Sequence, residues 1–455
     1  MIDTLRIPEL KLLSLLPNDD DAAYMLAAHC DLNGVFRGKR LPMAAADKLG
    51  AAGIRMPMSS IGVDIWGTDV IGNSLTFDQG DLDGIVEATG RGPLPLAFGP
   101  TPAMFTPMWM RKEDGSPFFG DPRRTLADVV SRFMTCGLTP VVATEVEFYL
   151  IDPAARVARP LVAMDAMHRD CSDTIYSLAE LAGVDAFLNE VYAVCAACGV
   201  AADSATSESG PGQFEFNLLH GPDALRVADD TALFKQIVRS AARRHGFAAS
   251  FMAKPYPDHA GNGLHVHFSI LDSKGVNIFD DGGAAGTAAM RQAVAGVLAA
   301  MHDSTLIFAP HQNSYRRLRP GTLAPTSIAW GYENRTAALR IPGGPAAARR
   351  IEHRVAGADA NPYLVIAAVL AAALQGIESQ AEPAPPLSGN VHDATAARIP
   401  PDWRSALDAF EKSPTIRQMF HPEFIAMFAA CKRQELDVFQ REITALEYHS
   451  YLHIV

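Results

Sequence analysis

The chain of 455 residues is short of positive charge, with 39 Lys and Arg against 51 Asp and Glu, a formal net charge of -12. That removes the broad basic footprint which nucleic-acid phosphates or anionic lipid headgroups require. Long apolar runs are also missing. The longest, Tyr363 to Leu374, is about 12 residues, too short for a bilayer span of about 20. Cysteine is scarce, 6 in all, which is no basis for a disulfide framework. Cys195 and Cys198 form a C-x-x-C within AVCAACGV, but no second pair exists to complete a zinc site. The plainer reading is two buried small hydrophobes at a helix end. MIDTLRIPEL lacks a basic stretch followed by an apolar one, so no secretory signal is expected. Neither a Walker loop nor a G-x-G-x-x-G strand–turn–helix occurs, so any nucleotide is held by another device. What is present is 48% hydrophobic and 20% charged residues, ordinary for a packed globular protein and incompatible with wholesale disorder. A soluble, cytoplasmic protein of two to three domains is expected.

The chain divides near residue 115. Before it, short alternating runs such as GVFRGKRLP (34–42) and NSLTFDQGD (73–81), separated by Gly-rich turns, suggest a small strand-rich domain. After it, Asp121 is a good N-cap with Pro122 at the first helical position, and Leu126, Val129 and Phe133 keep helical spacing. Strands and helices then alternate, with QAEPAPPLSGN (380–390) as a Pro-rich loop, and the last 55 or so residues read as two amphipathic helices. No regular βαβ phasing shows, so the class is α+β with an antiparallel sheet, not a doubly wound one.

The chemistry lies in four strand-like runs. In VVATEVEFYLI, Glu145 and Glu147 stand two apart and so project from one face. GPGQFEFNLL places Gln213, Glu215 and Asn217 on one face, with Glu208 just upstream; GNGLHVHFSIL does the same with His265 and His267, and ARRIEHRVA brings Glu352 and Arg354 together. Any one of these is readily an amphipathic strand with a solvated face. Together their polar positions carry Glu and His where solvated strands choose Lys, Thr and Ser, which describes an oxygen-rich cavity suited to Mg²⁺ or Mn²⁺. Like charges side by side on a sheet are destabilising unless something cationic lies between them. A second constellation is cationic: Arg317, Arg335, Arg340 and Arg354 occupy strand-like or turn segments, where planar forks suit carboxylate and phosphate. Metals beside arginines describe phosphoryl transfer, in which positioning and charge neutralisation do most of the work.

The ordered series DPRRTL, ATEVEFYL, ESGPGQFEFN, FMAKPYP, GNGLHVHFS, NSYRRLRPGTLAP, ENRTAALRIP, RRIEHR and ADANPYL resembles the glutamine synthetase family, and the early GIRMPMSS and DVIGN segments and the C-terminal tail resemble its γ-glutamyl-amine (γ-glutamylpolyamine-like) synthetase branch. The resemblance implies a small N-terminal β-grasp-like domain (1–115) and a large catalytic domain (116–455) with an antiparallel sheet and flanking helices. It implies one metal at Glu147, Glu208 and Glu215 and a second at Glu145, His265 and Glu352. Arg317 and Arg354 would hold glutamate, with Gly261 giving backbone contacts and His265 beside the substrate. Arg335 and Arg340 would address ATP phosphates and the transferred phosphoryl, with His267 and Ser269 near the nucleotide. Arg317, Arg340 and Glu147 would carry catalysis. The implied partners are glutamate, ATP and an amine, in a homo-oligomer of stacked hexameric rings, a dodecamer, with each active site shared between neighbouring subunits.

Departures from the ammonia-using pattern carry the specificity. Leu323 in PGTLAP, and Gly67 in IWGTDVIGN, stand where acidic residues serve ammonium, with Asp64 or Asp69 as possible substitutes for the second. Losing carboxylates from a cation site lowers its attraction for NH4⁺ and opens space. Ala260 replaces an Asn before the glutamate-loop glycine, and His392 in GNVHDAT replaces a regulatory tyrosine. The expected reaction is ATP-dependent joining of the glutamate γ-carboxyl to a primary amine through a γ-glutamyl phosphate. An ordinary ammonia-using glutamine synthetase, and a non-catalytic amine or nucleotide sensor, are the alternatives. For the amine, Asp64, Asp69, Asp78, Asp81 and Asp83 could wall a polyamine's distal ammonium, whereas Trp66, Leu323 and Trp330 could line an alkyl or aryl pocket, Trp330 being the more readily a core residue.

Overall fold

The computed structural model describes residues 22–46, 49, 53–154, 175–393 and 396–455; the segment read for a secretory signal lies outside them. The first sheet has five strands, β1 (Tyr24–Cys30), β2 (Phe36–Leu41), β3 (Ile54–Pro57), β4 (Asp83–Ala88) and β5 (Ala103–Arg111), in the order β2-β1-β5-β4-β3. The central β1–β5 pair is parallel and its neighbours are antiparallel. The second sheet has eight: β6 (Thr139–Ile151), β7 (Ala202–Ser207), β8 (Gln213–Gly221), β9 (Ala248–Ser250), β10 (Leu264–Leu271), β11 (Trp330–Tyr332), β12 (Leu339–Ile341) and β13 (Ile351–His353). Its order is β11-β12-β13-β10-β6-β8-β7, with β9 beside β6. All its pairs are antiparallel except β11–β12.

The longer helices are α1 (Pro122–Thr135), α2 (Asp185–Ala197), α3 (Ala224–Arg244), α4 (Ala288–Phe308), α5 (Pro362–Glu378), α6 (Trp403–Lys412) and α7 (Pro422–Arg441). α1 starts as expected, with the Asp121 carboxylate accepting from the Arg123 and Arg124 amides. Its other oxygen accepts from Met110 N at 2.7 Å, tying the helix to β5. α5 holds the longest apolar run and is buried over most of its length. It crosses α4 where Gly296 and Gly376 meet; a Cβ on Gly296 would sit 2.1 Å from the Ala372 carbonyl oxygen. Cys195 and Cys198 are buried at the end of α2, and burial pushes the Cys198 thiol up to about 12. No helix among the described residues is long and apolar enough to cross a membrane.

Two expectations need correction. Residues 73–81 form no strand. The side chain of Asn73 accepts from Leu75 N, Ser74 and Asp81 take left-handed backbone, and the chain reverses where alternation had suggested a strand. The C-terminal run is not two helices. Pro414–Met419 forms a separate short turn of helix after α6, and α7 stops at Arg441. There Thr444 opens Ala445–Tyr451 with a capping box to Glu447.

Buried polar ties hold the first sheet to the rest. Glu435 of α7 accepts from Asn33 Nδ2 at 2.9 Å, from Ile65 N at 2.8 Å and from Lys432 Nζ at 2.9 Å, with both members of the ion pair wholly buried. Burial alone would raise the Glu435 carboxyl, but the charges of Lys432 and His311 outweigh it and hold it at about 2. A depressed carboxyl adds stability that is present above its ordinary value and is lost as pH falls through about 2. Lys432→Met leaves this carboxylate buried without its cation. It should lower unfolding free energy by about 3–5 kcal/mol and move acid unfolding to higher pH; an unchanged urea midpoint would contradict the role given to the pair.

Candidate active site

Register in the second sheet brings the four sequence runs onto one face. His265 lies opposite Glu145, which lies opposite Asn217; Glu147 lies opposite Glu215; and His267 lies opposite Glu352, which lies opposite Arg340. Directly opposed residues share a face, so these rows form a single polar wall. His265 Nδ1 and His267 Nε2 both donate to Glu145, at 3.0 and 2.8 Å. His265 also lies 3.9 Å from Glu147 and 3.7 Å from Glu352. Arg340 Nη1 donates to Glu352 at 3.0 Å, and Arg354 donates to the other Glu352 oxygen.

The electrostatics divide this wall in two. Burial would raise the Glu145 carboxyl, but the two imidazoles hold it well below the usual carboxylate range. Glu352 is likewise held down against its burial, chiefly by Arg354. On the β8 side no cation of the wall compensates as well. Burial and the charges of Glu145, Glu147 and Glu208 push Glu215 up to about 9, and burial with Glu147 pushes Glu208 to about 7 despite Arg335. Carboxylates crowded until they resist ionisation are an environment that a divalent cation would relieve.

Donor atoms within 4.8 Å of one another are found in two groups, Glu145 with His267 and Glu352, and Glu145 with Glu215 and His265. Of the six expected ligands, Glu145, Glu215, His265 and Glu352 fall in these groups and Glu147 and Glu208 in neither, while His267 joins one. The grouping differs because Glu145 sits between both imidazoles. Oxygen-rich donors with one imidazole each fit Mg²⁺ or Mn²⁺.

The arginines border the wall. Arg317 is buried on the short helical turn Ser314–Arg317, not on a strand; it donates to the Val355 carbonyl at 2.7 Å. Nε of Arg340 and of Arg354 is buried without a hydrogen-bond partner among the described residues. Arg335 is exposed on the turn after β11. His267 and Ser269 line a cavity of roughly 880 Å³ with Asn217, Asn277 and Arg350, within the size range of small-molecule sites. Leu323 is 69% exposed at the rim of a second cavity, of roughly 800 Å³, which also takes in Ala260. Gly67 is elsewhere, at φ +85° against Arg37 on a loop packed on α7. No described contact joins it to Leu323. Asp64 is buried and accepts from Trp66 N, Thr68 N and Gln434 Nε2, so it is committed to its own loop. Trp330 is core, its indole N–H donating to Ala384.

Three contributors went unread in the sequence. Gly263 is one: a Cβ there would lie 2.9 Å from Arg317 Nη2 and 3.0 Å from His265 Nε2, and its amide donates to Glu147 at 2.7 Å. Its signal is the second glycine of GNG. Arg350 donates to His267 Nδ1 at 3.3 Å and is the second arginine of RRIEHR. Tyr149 donates to the Ala260 carbonyl at 2.8 Å, while Gln213 donates to the Gly261 carbonyl at 3.1 Å, so β6 and β8 together anchor the loop 258–263.

If the crowded carboxylates are built around cations, Mn²⁺ should raise the melting temperature, by an amount equivalent to about 2.7 kcal/mol at a hundred times its dissociation constant. Glu215→Gln should leave the metal-free protein at least as stable, because it replaces a carboxyl that already resists ionisation, and should blunt the Mn²⁺ shift. Equal shifts in both proteins would contradict this.

Residues 119–451 match the catalytic domain of glutamine synthetase. The chain is 37% identical over 427 residues to the γ-glutamylputrescine synthetase PuuA of Escherichia coli, covering 92% of this chain and 89% of that one. It is 36% identical to the γ-glutamylethanolamide synthetase GlnA4 of Streptomyces coelicolor, covering 74% and 72%. It is 31% identical to a glutamate–isopropylamine ligase of a Pseudomonas species, covering 75% of each. The solved structure of GmaS without ligand superimposes with a TM-score of 0.83 at 28% identity, over 95% of this chain and 97% of that one. With the motifs in order, the sheet that carries them and these likenesses all agreeing, the chain belongs to the glutamine synthetase family.

Proposed function

We propose that the protein is an ATP-dependent ligase that joins the γ-carboxyl of glutamate to a primary amine. The observation that carries the reading is the wall formed by β6, β8, β10 and β13, where Glu145, Glu147, Glu215, Glu352 and two imidazoles face a border of arginines. The amine preference is supported by Leu323, exposed where ammonia-using members carry acid, and by the likeness to three amine ligases.

A carboxylate is a poor electrophile, so it must first be activated. Arg317 and Arg354, with the Gly261 backbone, hold glutamate with its γ-carboxylate at the wall. Arg335 and Arg340 hold the ATP phosphates, and Arg340 follows charge as it moves onto the transferred phosphoryl group. A γ-carboxylate oxygen bonds to the γ-phosphorus and ADP leaves. The neutral amine nitrogen then bonds to the carbonyl carbon, phosphate leaves with the bonding pair, and the proton lost from nitrogen passes to the departing phosphate or to water. Mg²⁺ or Mn²⁺, held by Glu147, Glu208 and Glu215 and by Glu145, His265 and Glu352, would supply neutralisation of phosphate charge. Glu147 keeps the Gly263 amide and Arg317 in place at the reacting end. His267, Ser269 and Arg350 line the nucleotide cavity.

Residues 1–115 form the N-terminal unit and 116–455 the catalytic one, a division supported by the match that starts at residue 119. Gly67 lies away from Leu323 within one chain, which fits a ring of subunits, two hexamers stacked as a dodecamer, where each N-terminal unit completes a neighbour's site. The setting is cytoplasmic.

Phosphate release should require ATP, glutamate, Mg²⁺ or Mn²⁺ and an organic amine together, and Glu215→Ala should reduce it by at least about a hundredfold. Ammonia turning over as efficiently as every amine tested would restore an ordinary glutamine synthetase.

A further inference from the structure

Next to the glutamate loop, the cavity rimmed by Leu323 carries an unexpected charge. Its wall includes Lys254, Arg316 and Arg319 against a single carboxylate, Asp258, together with His259. Arg316 and Arg319 are exposed, and neither side chain makes an ion pair or hydrogen bond to another described residue. Lys254 donates to the His259 carbonyl, which fixes its ammonium at the same wall. In a chain of net charge -12, three cations around one opening are a local reversal of sign. The opening borders the proposed glutamate and amine sites, because it is lined by Ala260, next to Gly261 of the glutamate loop, and by Leu323.

We propose that Lys254, Arg316 and Arg319 make this cavity select acceptor amines that bear a single positive charge and reject diamines and polyamines. The selection rests on the reading of the chain as a glutamate–amine ligase and adds the class of its acceptor. A primary amine reaches the acyl phosphate with its nitrogen inward and its tail along the cavity, so a second ammonium on the tail is brought up to the three cations. A unit charge at ~8 Å in a water-like medium alters an equilibrium roughly twofold, and three cations against one carboxylate, two net charges, give about fourfold. Specificity of this kind comes from a repulsive element built against the wrong ligand. Leu323 and the stem of Met252 suit an uncharged alkyl tail. Of the five acids of the N-terminal unit named for a distal ammonium, Asp64 is occupied by its own loop, and none of the five lines this cavity.

The test compares n-butylamine with putrescine, which differ only by the terminal ammonium, using the full-length protein with saturating glutamate and ATP. Saturating glutamate removes any effect of the same cations on glutamate entry. At low ionic strength kcat/KM for butylamine should exceed that for putrescine by about fourfold, and the ratio should shrink in about 0.5 M KCl. Arg316→Gln with Arg319→Gln should close the ratio by at least about threefold, and Asp258→Asn should widen it. Putrescine preferred by the unmodified protein, or a ratio that neither salt nor the double variant alters, overturns the selection. Absence of glutamate-dependent phosphate release with butylamine, putrescine and ammonia alike overturns the ligase reading itself and the selection with it.

Discussion

Mutual repulsion among carboxylates on one face of β6 and β8 is the constraint on which the rest of the site depends. Glu145 and Glu147 are forced together by the two-residue period of a strand, and register then adds Glu215 beside Glu147. Part of the charge is answered within the fold by the two imidazoles of β10 and by Arg340 and Arg354. Around Glu208 and Glu215 it is answered less fully, and burial with the neighbouring carboxylates pushes both carboxyls up toward neutrality. A polar surface that costs this much stability when empty is explained by what it is proposed to hold, cations and the phosphates they accompany.

Such a wall works only if its geometry is kept. Three side chains on the carboxylate strands, Glu147, Tyr149 and Gln213, anchor the loop 258–263, so the part that would hold glutamate and the part that would hold cations are positioned by the same β6–β8 pair. Close approach is built in as well. At Gly263 nothing larger than hydrogen fits between Arg317 and His265. Beneath the sheet, α4 and α5 pack backbone to backbone at Gly296 and Gly376, and the Lys432–Glu435 pair ties α7 to the first sheet.

Much of this was legible in the residues, for a physical reason. A strand's period of two makes a shared face visible in one dimension, so Glu145 with Glu147 and His265 with His267 announced a polar wall before any sheet was known. The Asp121–Pro122 start of α1 was readable because a helix cap is local. What was lost depends on pairing. Alternation at 73–81 suggested a strand, yet Ser74 and Asp81 turn the chain. The break after Arg441 was hidden by continuous amphipathic spacing, although Thr444 and Glu447 spelled out the new cap. His267 belongs with Glu145 because of the register between β10 and β6, and Gly263 and Arg350 matter because of what lies across the sheet from them. Sequence order carries none of that.

The central claim is that ATP activates the γ-carboxylate of glutamate at this wall before an amine arrives. It is tested most directly by giving the protein glutamate labelled with ¹⁸O in the γ-carboxylate, together with ATP, Mn²⁺ and an amine, and weighing the released phosphate. Phosphate carrying one ¹⁸O atom is the predicted result, because the carboxylate oxygen that bonds to phosphorus leaves with it. Unlabelled phosphate, released at the rate at which the γ-glutamyl amide forms, would contradict it.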